Sequence, residues 1–342
     1  MPITSPITGA ARLGACVSIA AALTLAIGSG APRAEELKVV ATIKPIHALV
    51  AQVMGDTGTP KLLVQGASSP HTYSLRPSDA RALNQARVVF RVSEQIEPFT
   101  RRIVASLPKS VTVSTLAEAP GLTLLDVRTG DTFEAHDDAH DHGHKHDKQS
   151  YKKHGHEEHG HDDHGNGGTA RDAHVWLDPD NAIAMVKEIA RVLAEAAPDK
   201  AAVFEANAAK AIAGIEVVKK EIAETVAPLR GKPFVVFHDA YQYFEAHFGI
   251  PAIGAITVSP EVQPSAKRLT EIRSKIKQLN AVCVFAEPQF KSKLVATVTE
   301  GTKARAGTLD PEGAMIEPGP SSYVELLKGL AASLKSCLAP SA

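Results

Sequence analysis

Of the fifteen histidines in this 342-residue chain, ten fall in one tract: His136, His140, His142, His144, His146, His154, His156, His159, His161 and His164. Residues 131–168 also hold ten Asp or Glu, four Lys and almost no apolar side chains. Such a segment cannot bury enough surface to offset its ordering entropy, so an exposed, disordered loop is expected. Imidazoles and carboxylates are good ligands for Zn²⁺, Cu²⁺ and Ni²⁺, but irregular spacing fixes no single geometry, and several weak, exchanging metal sites are predicted. His156-Glu-Glu-His159 is not the H-E-x-x-H of a zinc protease, because its histidines are three apart and its flanks are not helical.

The other five histidines are His47, His71, His174, His238 and His247. His71 follows Gly66-Ala-Ser-Ser-Pro70 shortly after a predicted strand, and His238 ends the apolar run Phe234-Val-Val-Phe237 just before a predicted helix. His174 lies in Asp172-Ala-His-Val-Trp-Leu-Asp178. Ligands of α/β sheets sit outside the carboxyl ends of the strands, where His71 and His238 fall. Zn²⁺ takes about four N, O or S ligands in a tetrahedron, so three imidazoles need a carboxylate or a water to complete the set. Asp310, in Gly307-Thr-Leu-Asp-Pro311, is the candidate carboxylate. His47 and His247 are read as structural or surface residues. Three histidines with an open water position also describe catalytic zinc, but no motif names a general base. Glu287, in Glu-Pro-Gln, is read as supporting the site or the fold, and no enzyme is expected.

These positions need strands and helices to bring them together. Leu37 to Ile43, Lys61 to Val64, Arg87 to Val92, Val235 to Phe237 and Val282 to Phe285 read as strands. Helices are predicted from Ile46 to Met54 after Pro45, and from Pro77-Ser-Asp79 through Ala86. Alternation of this kind implies parallel sheets covered by helices, and two α/β lobes are the simplest arrangement. Between the lobes, Asp199 to Ala227 carries apolar residues three or four apart until Pro228 stops the run. A helix of that length spans about 43 Å and can serve both lobes as a rigid spine.

The N-terminus reads as a secretory signal: Arg12 precedes the apolar run Ala15 to Ile27, and small residues offer cleavage near Ala31 or Ala34. The expected organisation is therefore a signal peptide at 1–34, a first lobe at 35–198 containing the histidine-rich loop, the linking helix at 199–227 and a second lobe at 228–342. Removing the signal removes Cys16 and leaves Cys283 and Cys337 as an even pair in an oxidising compartment, which predicts a disulfide. With 37 Lys+Arg against 38 Asp+Glu, no basic excess advertises nucleic acid.

The strings Gly66-Ala-Ser-Ser-Pro-His-Thr-Tyr-Ser-Leu-Arg-Pro77, His174-Val-Trp-Leu-Asp-Pro179, His238-Asp-Ala-Tyr-Gln-Tyr-Phe244, Phe285-Ala-Glu-Pro-Gln-Phe290 and Gly307-Thr-Leu-Asp-Pro311 resemble those of the zinc-uptake solute-binding proteins, ZnuA type, of the cluster A-I metal binders. The resemblance runs from about residue 37 to the end. It implies two lobes, each with a four-stranded parallel sheet flanked by helices, joined by one long α-helix, with the metal between them. It also implies His71, His174 and His238 as ligands, Asp310 or a water as the fourth, and a disulfide between Cys283 and Cys337. The implied role is a monomeric periplasmic protein that captures Zn²⁺ for an ABC permease and its ATPase. A periplasmic zinc buffer or metallochaperone without a transporter is the alternative. Related manganese binders carry Glu where His238 stands, and the nitrogen ligand favours Zn²⁺. Some zinc-family members have an acidic residue just before the first ligand; here that position is Pro70.

Overall fold

The computed structural model describes residues 37–129, 132–133, 170–257, 259–260, 263–290 and 293–340. The predicted signal peptide and all ten histidines of the tract lie outside them. Two four-stranded sheets organise the described residues. The first takes β1 (Val39–Ala41), β2 (Lys61–Leu62), β3 (Val88–Arg91) and β4 (Thr112–Thr115) in the order β2-β1-β3-β4, every pair parallel. The second repeats the pattern with β5 (Phe234–His238), β6 (Ala255–Thr257), β7 (Cys283–Ala286) and β8 (Arg305–Thr308) in the order β6-β5-β7-β8. Parallel neighbours need a crossover, and helices supply it on both faces, so β1, β3, β5 and β7 are almost wholly buried and apolar.

The helices are α1 (Lys44–Met54), α2 (Pro77–Gln85), α3 (Thr100–Ser106), α4 (Pro179–Ala196), α5 (Ala201–Val226), α6 (Gln242–Phe248), α7 (Ala266–Gln278), α8 (Lys293–Thr299) and α9 (Ser322–Leu338). Helix α4 starts cleanly because Asp178 accepts the Asp180 N–H (2.8 Å) and Pro179 needs no partner in the first turn. The predicted spine is α5, buried along Phe204, Ala208, Ala211, Ile215, Val218, Ile222 and Val226. Short 3-10 turns at Pro198–Lys200 and Ala227–Leu229 bound it, so its α-helical part is slightly shorter than the sequence pattern. It packs against α1, α4 and α9.

Helix α9, last in the chain, returns to pack on α1 and α5 as well as on β8. One apolar core therefore runs from Ile46, Leu49 and Trp176 through the α5 stripe to Phe234, Phe285 and Leu327. The described residues form a single compact unit, in which the two sheets are halves sharing a core. Cys283 and Cys337 are joined by a disulfide that fastens the start of β7 to the end of α9.

Candidate metal centre

Each half delivers candidate ligands at or beyond the carboxyl ends of its strands. His238 is the last residue of β5. His71 lies in a 3-10 turn, Pro70–Thr72, between β2 and α2. This turn is fastened two residues on by Tyr73, whose hydroxyl donates to Asp79 Oδ2 (2.8 Å) and whose ring meets Phe99 at 5.1 Å. His174 immediately precedes the turn Val175–Leu177 that leads into α4.

The three rings converge. Their centroids are 5.3 Å apart for His174 and His238, 5.6 Å for His71 and His174, and 5.8 Å for His71 and His238. One ring nitrogen from each lies within 4.8 Å of the other two. His174 and His238 are buried, and His71 is half-buried.

Two carboxylates set the tautomers. His174 Nδ1–H donates to Asp172 Oδ1 at 2.8 Å, and the same oxygen accepts the His174 backbone N–H at 3.0 Å. His238 Nδ1–H faces both oxygens of Glu287 at 2.7 and 2.8 Å. With each Nδ1–H committed to a carboxylate, each Nε2 presents a lone pair to the cleft. Those two Nε2 atoms stand 3.4 Å apart. Two nitrogens bound at about 2.0–2.1 Å to one tetrahedral Zn²⁺ are about 3.3 Å apart, so the spacing and the donor set both fit that ion.

Glu287 is 3 % exposed, and burial pushes its carboxyl up to about 8, opposed by the backbone N–H of His238. A dication on the neighbouring imidazole stabilises the ionised carboxylate, so ion capture and ionisation favour each other. Trp176, 5.3 Å from the His174 ring, and Phe290, 6.2 Å from the His238 ring, give the site apolar walls.

Asp310 is not part of this triplet. Its Oδ1 accepts Gln289 Nε2 (2.9 Å) and the Glu312 N–H (3.1 Å), and its Oδ2 accepts the Ala314 N–H (2.6 Å). His47 is buried on α1 with Nε2 against Pro60 O at 3.0 Å. His247 Nδ1 lies 2.9 Å from Asp178 Oδ1 and 3.8 Å from Asp180 Oδ2. That second cluster sits at the N-terminus of α4, whose dipole opposes a cation, and Lys219 Nζ already occupies Asp180 at 2.7 Å.

Sequence reasoning gave no role to Asp172, although a carboxylate two residues before a candidate ligand is a recognisable signal. Pairing Glu287 with His238 needed the fold, because 49 residues separate them.

A match to the family "Zinc-uptake complex component A periplasmic" spans residues 39–337. The chain is 45% identical over 308 residues to the "High-affinity zinc uptake system protein ZnuA" of Brucella abortus (strain 2308), covering 88% of this chain and 91% of that protein. It is 41% identical over 319 residues to the protein of the same name from Paracoccus denitrificans (strain Pd 1222), covering 92% and 97%. A solved crystal structure of ZnuA superposes with a TM-score of 0.69 at 22% identity, covering 89% of this chain and all of that one, and shares the fold. The parallel sheets, the long helix and the match along nearly all of the described length together place the chain in the ZnuA zinc-uptake family of periplasmic components.

Proposed function

We propose that the protein captures Zn²⁺ in the periplasm at His71, His174 and His238 and delivers it to an ABC-type permease powered by its ATPase. The observation that carries this reading is the pair of carboxylate-backed imidazoles whose Nε2 atoms stand 3.4 Å apart across the two halves. Two lone pairs at that distance repel unless a cation or a proton lies between them. The names of the relatives, all high-affinity zinc uptake proteins, support the choice of ion.

The ion is cargo, so the site has to hold it without transforming anything. Glu287 favours binding over hydrolysis because it lies behind His238, on Nδ1, where it orients a ligand and is not aimed at a water on the ion. The fourth ligand is Asp310 or a water. The three hydrogen bonds that Asp310 accepts favour the water. Asp310→Ala tests this: unchanged affinity assigns the water, and a loss of tenfold or more assigns the carboxylate. Between His136 and His164, the proposed weak sites gather zinc for the tight one. No helix among the described residues is long and apolar enough to cross a membrane.

Calorimetric titration of the metal-free mature protein with Zn²⁺ tests the reading, alongside His71→Ala and a deletion of residues 134–168. One tight site that survives the deletion and collapses in His71→Ala is expected. Loss of all tight binding with the deletion would overturn the three-histidine site. Complementation of zinc uptake in a strain lacking its own binding protein then tests delivery, and failure to restore uptake by a protein that binds tightly would make it a buffer.

A further inference from the structure

The short segments on either side of the histidine tract are tied to the metal ligands. Before the tract, Leu124–Arg128 runs antiparallel to Ala170–Asp172 after it. The Val127 N–H donates to Ala170 O (2.8 Å), the Asp172 N–H donates to Leu125 O (2.9 Å), and Asp126 bridges Arg171. This strand pair ends on Asp172, whose side chain orients His174.

Helix α6 of the second half grips the same pair. The Tyr243 hydroxyl donates to Asp172 O (2.7 Å) and accepts the Leu125 N–H (3.0 Å), and Gln242 Nε2 donates to Asp126 O (3.1 Å). Thr132 O then accepts the Ala255 N–H (3.2 Å) and Arg268 Nη2 (2.7 Å). The chain passes so close there that a Cβ on Gly254 would meet Thr132 Cβ at 2.8 Å.

Arg128 is the ionic centre of this strap. Its guanidinium reaches Asp239 through Nε (3.0 and 3.1 Å) and Nη2, and Glu245 through Nη1 (2.5 Å). Its opposite contact is the Phe133 ring, 4.0 Å from the guanidinium carbon. Asp239 directly follows His238 at a tight corner, where the Ala240 N–H returns to His238 O at 2.9 Å. Both carboxylates are almost wholly buried. A planar fork satisfies two buried acids at once, which a single ammonium cannot do.

We propose that Arg128 is a positioning residue for the metal site: it clamps the strand pair that carries His174 against the β5–α6 corner that carries His238, and so sets the spacing of their Nε2 atoms. This rests on the reading that the triplet binds zinc. It assigns to the base of the histidine tract a part in setting affinity, separate from any metal held by the tract itself.

The test compares wild type, Arg128→Ala, Arg128→Lys and His71→Ala as full mature chains. Zinc affinity is read by competition with a chromophoric chelator, zinc release by stopped flow, ligand geometry by the visible bands of bound Co²⁺, and stability by the melting temperature of the metal-free protein. In Arg128→Ala, affinity is expected to fall about tenfold or more, mostly through faster release, with altered Co²⁺ bands. Arg128→Lys should lie between it and wild type, because lysine keeps the charge and loses the fork.

A merely structural Arg128 would lower the melting temperature and leave the release rate and the Co²⁺ bands of the folded protein unchanged, which would overturn the proposal. Should Arg128→Ala fail to fold, Arg128→Lys decides, and a wild-type release rate there also overturns it. A wild type with no tight site, or one that His71→Ala leaves intact, removes the zinc reading itself. A tight wild-type site that both Arg128 variants share removes only the clamp.

Discussion

Glu287→Gln isolates the carboxylate that orients His238. The change keeps side-chain volume and one acceptor oxygen, but it turns the second contact to Nδ1, at 2.8 Å, into a donor facing a donor. It also removes a charge. Allowing about 2.2 Å across the imidazole and about 2.0 Å for the Zn–N bond, the carboxylate stands about 7 Å from the ion. At an effective dielectric constant of about 20, charges of −1 and +2 at that distance attract by about 5 kcal/mol. Two effects reduce this gross figure. With burial holding the Glu287 carboxyl up to about 8, ionising it at pH 7 costs about 1.4 kcal/mol. The ion's charge is also shared with its ligands. Carboxylates behind metal-bound imidazoles contribute about 10–100-fold in affinity, or about 1.4–2.8 kcal/mol, and a pair this buried belongs in the upper half of that range. Competition titration against a chromophoric chelator at pH 7, with melting temperatures to confirm folding, measures the effect. Wild-type affinity in folded Glu287→Gln would refute the claim that this carboxylate prepares His238 for the metal.

Replacing both Cys283 and Cys337 by serine opens a link across 54 residues, which on the chain-entropy account costs about 4 kcal/mol. The melting temperature should drop by roughly 7 °C, while zinc affinity stays within about twofold because Cys283 begins β7 and Glu287 follows its far end. An unchanged melting temperature in calorimetry would contradict the loop-closure argument. Glu97 is buried beneath Thr42 and the Val92 and Ser93 N–H groups, and burial pushes its carboxyl from 4.5 up to about 7. The folded protein therefore holds this proton more tightly than the unfolded chain. Its contribution to stability is full below about pH 4.5 and is lost as pH rises to about 7. Glu97→Gln cannot ionise and should flatten the metal-free melting curve over that window. Equal slopes for variant and wild type would count against the assignment.

The central strands and the spine were legible because apolar runs and a three-to-four repeat are local patterns. Leu37 to Ile43 pointed to β1, but only Val39–Ala41 finds partners, since apolar character does not say where pairing ends. Strands β4, β6 and β8 were not named from sequence. β4 and β8 are half-exposed edge strands with polar residues such as Thr112, Thr115 and Arg305, so no apolar run announces them. In the site, residue type and place beyond a predicted strand picked out His71 and His238, and the string Asp172-Ala-His-Val-Trp-Leu-Asp178 picked out His174. Nothing in the sequence indicated that two Nε2 atoms would meet at 3.4 Å. Arg128 gave no signal because its acids lie 111 and 117 residues away, and Asp310 was chosen by motif while its hydrogen bonds turn both oxygens to other partners.

How an ion held by the proposed triplet would enter and leave follows from what joins the halves. Lys44, buried at the start of α1, donates to the carbonyls of Gly313 (2.6 Å), Ala314 (2.9 Å) and Ile316 (2.9 Å) in the β8–α9 connection. Trp176 Nε1 donates to Pro311 O (2.9 Å), and the Tyr323 hydroxyl to Trp176 O (2.8 Å). With an apolar core running beneath them, parting the halves would expose core and orphan an ammonium, so wide opening is disfavoured. The three candidate ligands differ in this respect. His174 and His238 are buried and backed by carboxylates, whereas His71 is half-buried on a short turn, between exposed Thr72 and buried Pro70, that follows an exposed stretch at 65–68. Exchange should therefore proceed by local movement of the His71 turn. Hydrogen exchange on metal-free and zinc-loaded protein tests this: residues 66–73 should gain protection on loading, while the amides around Lys44 and Trp176 stay protected in both. Matching gains at all three places would mean that the halves do part, and the shared core would then be a weaker tie than its burial implies.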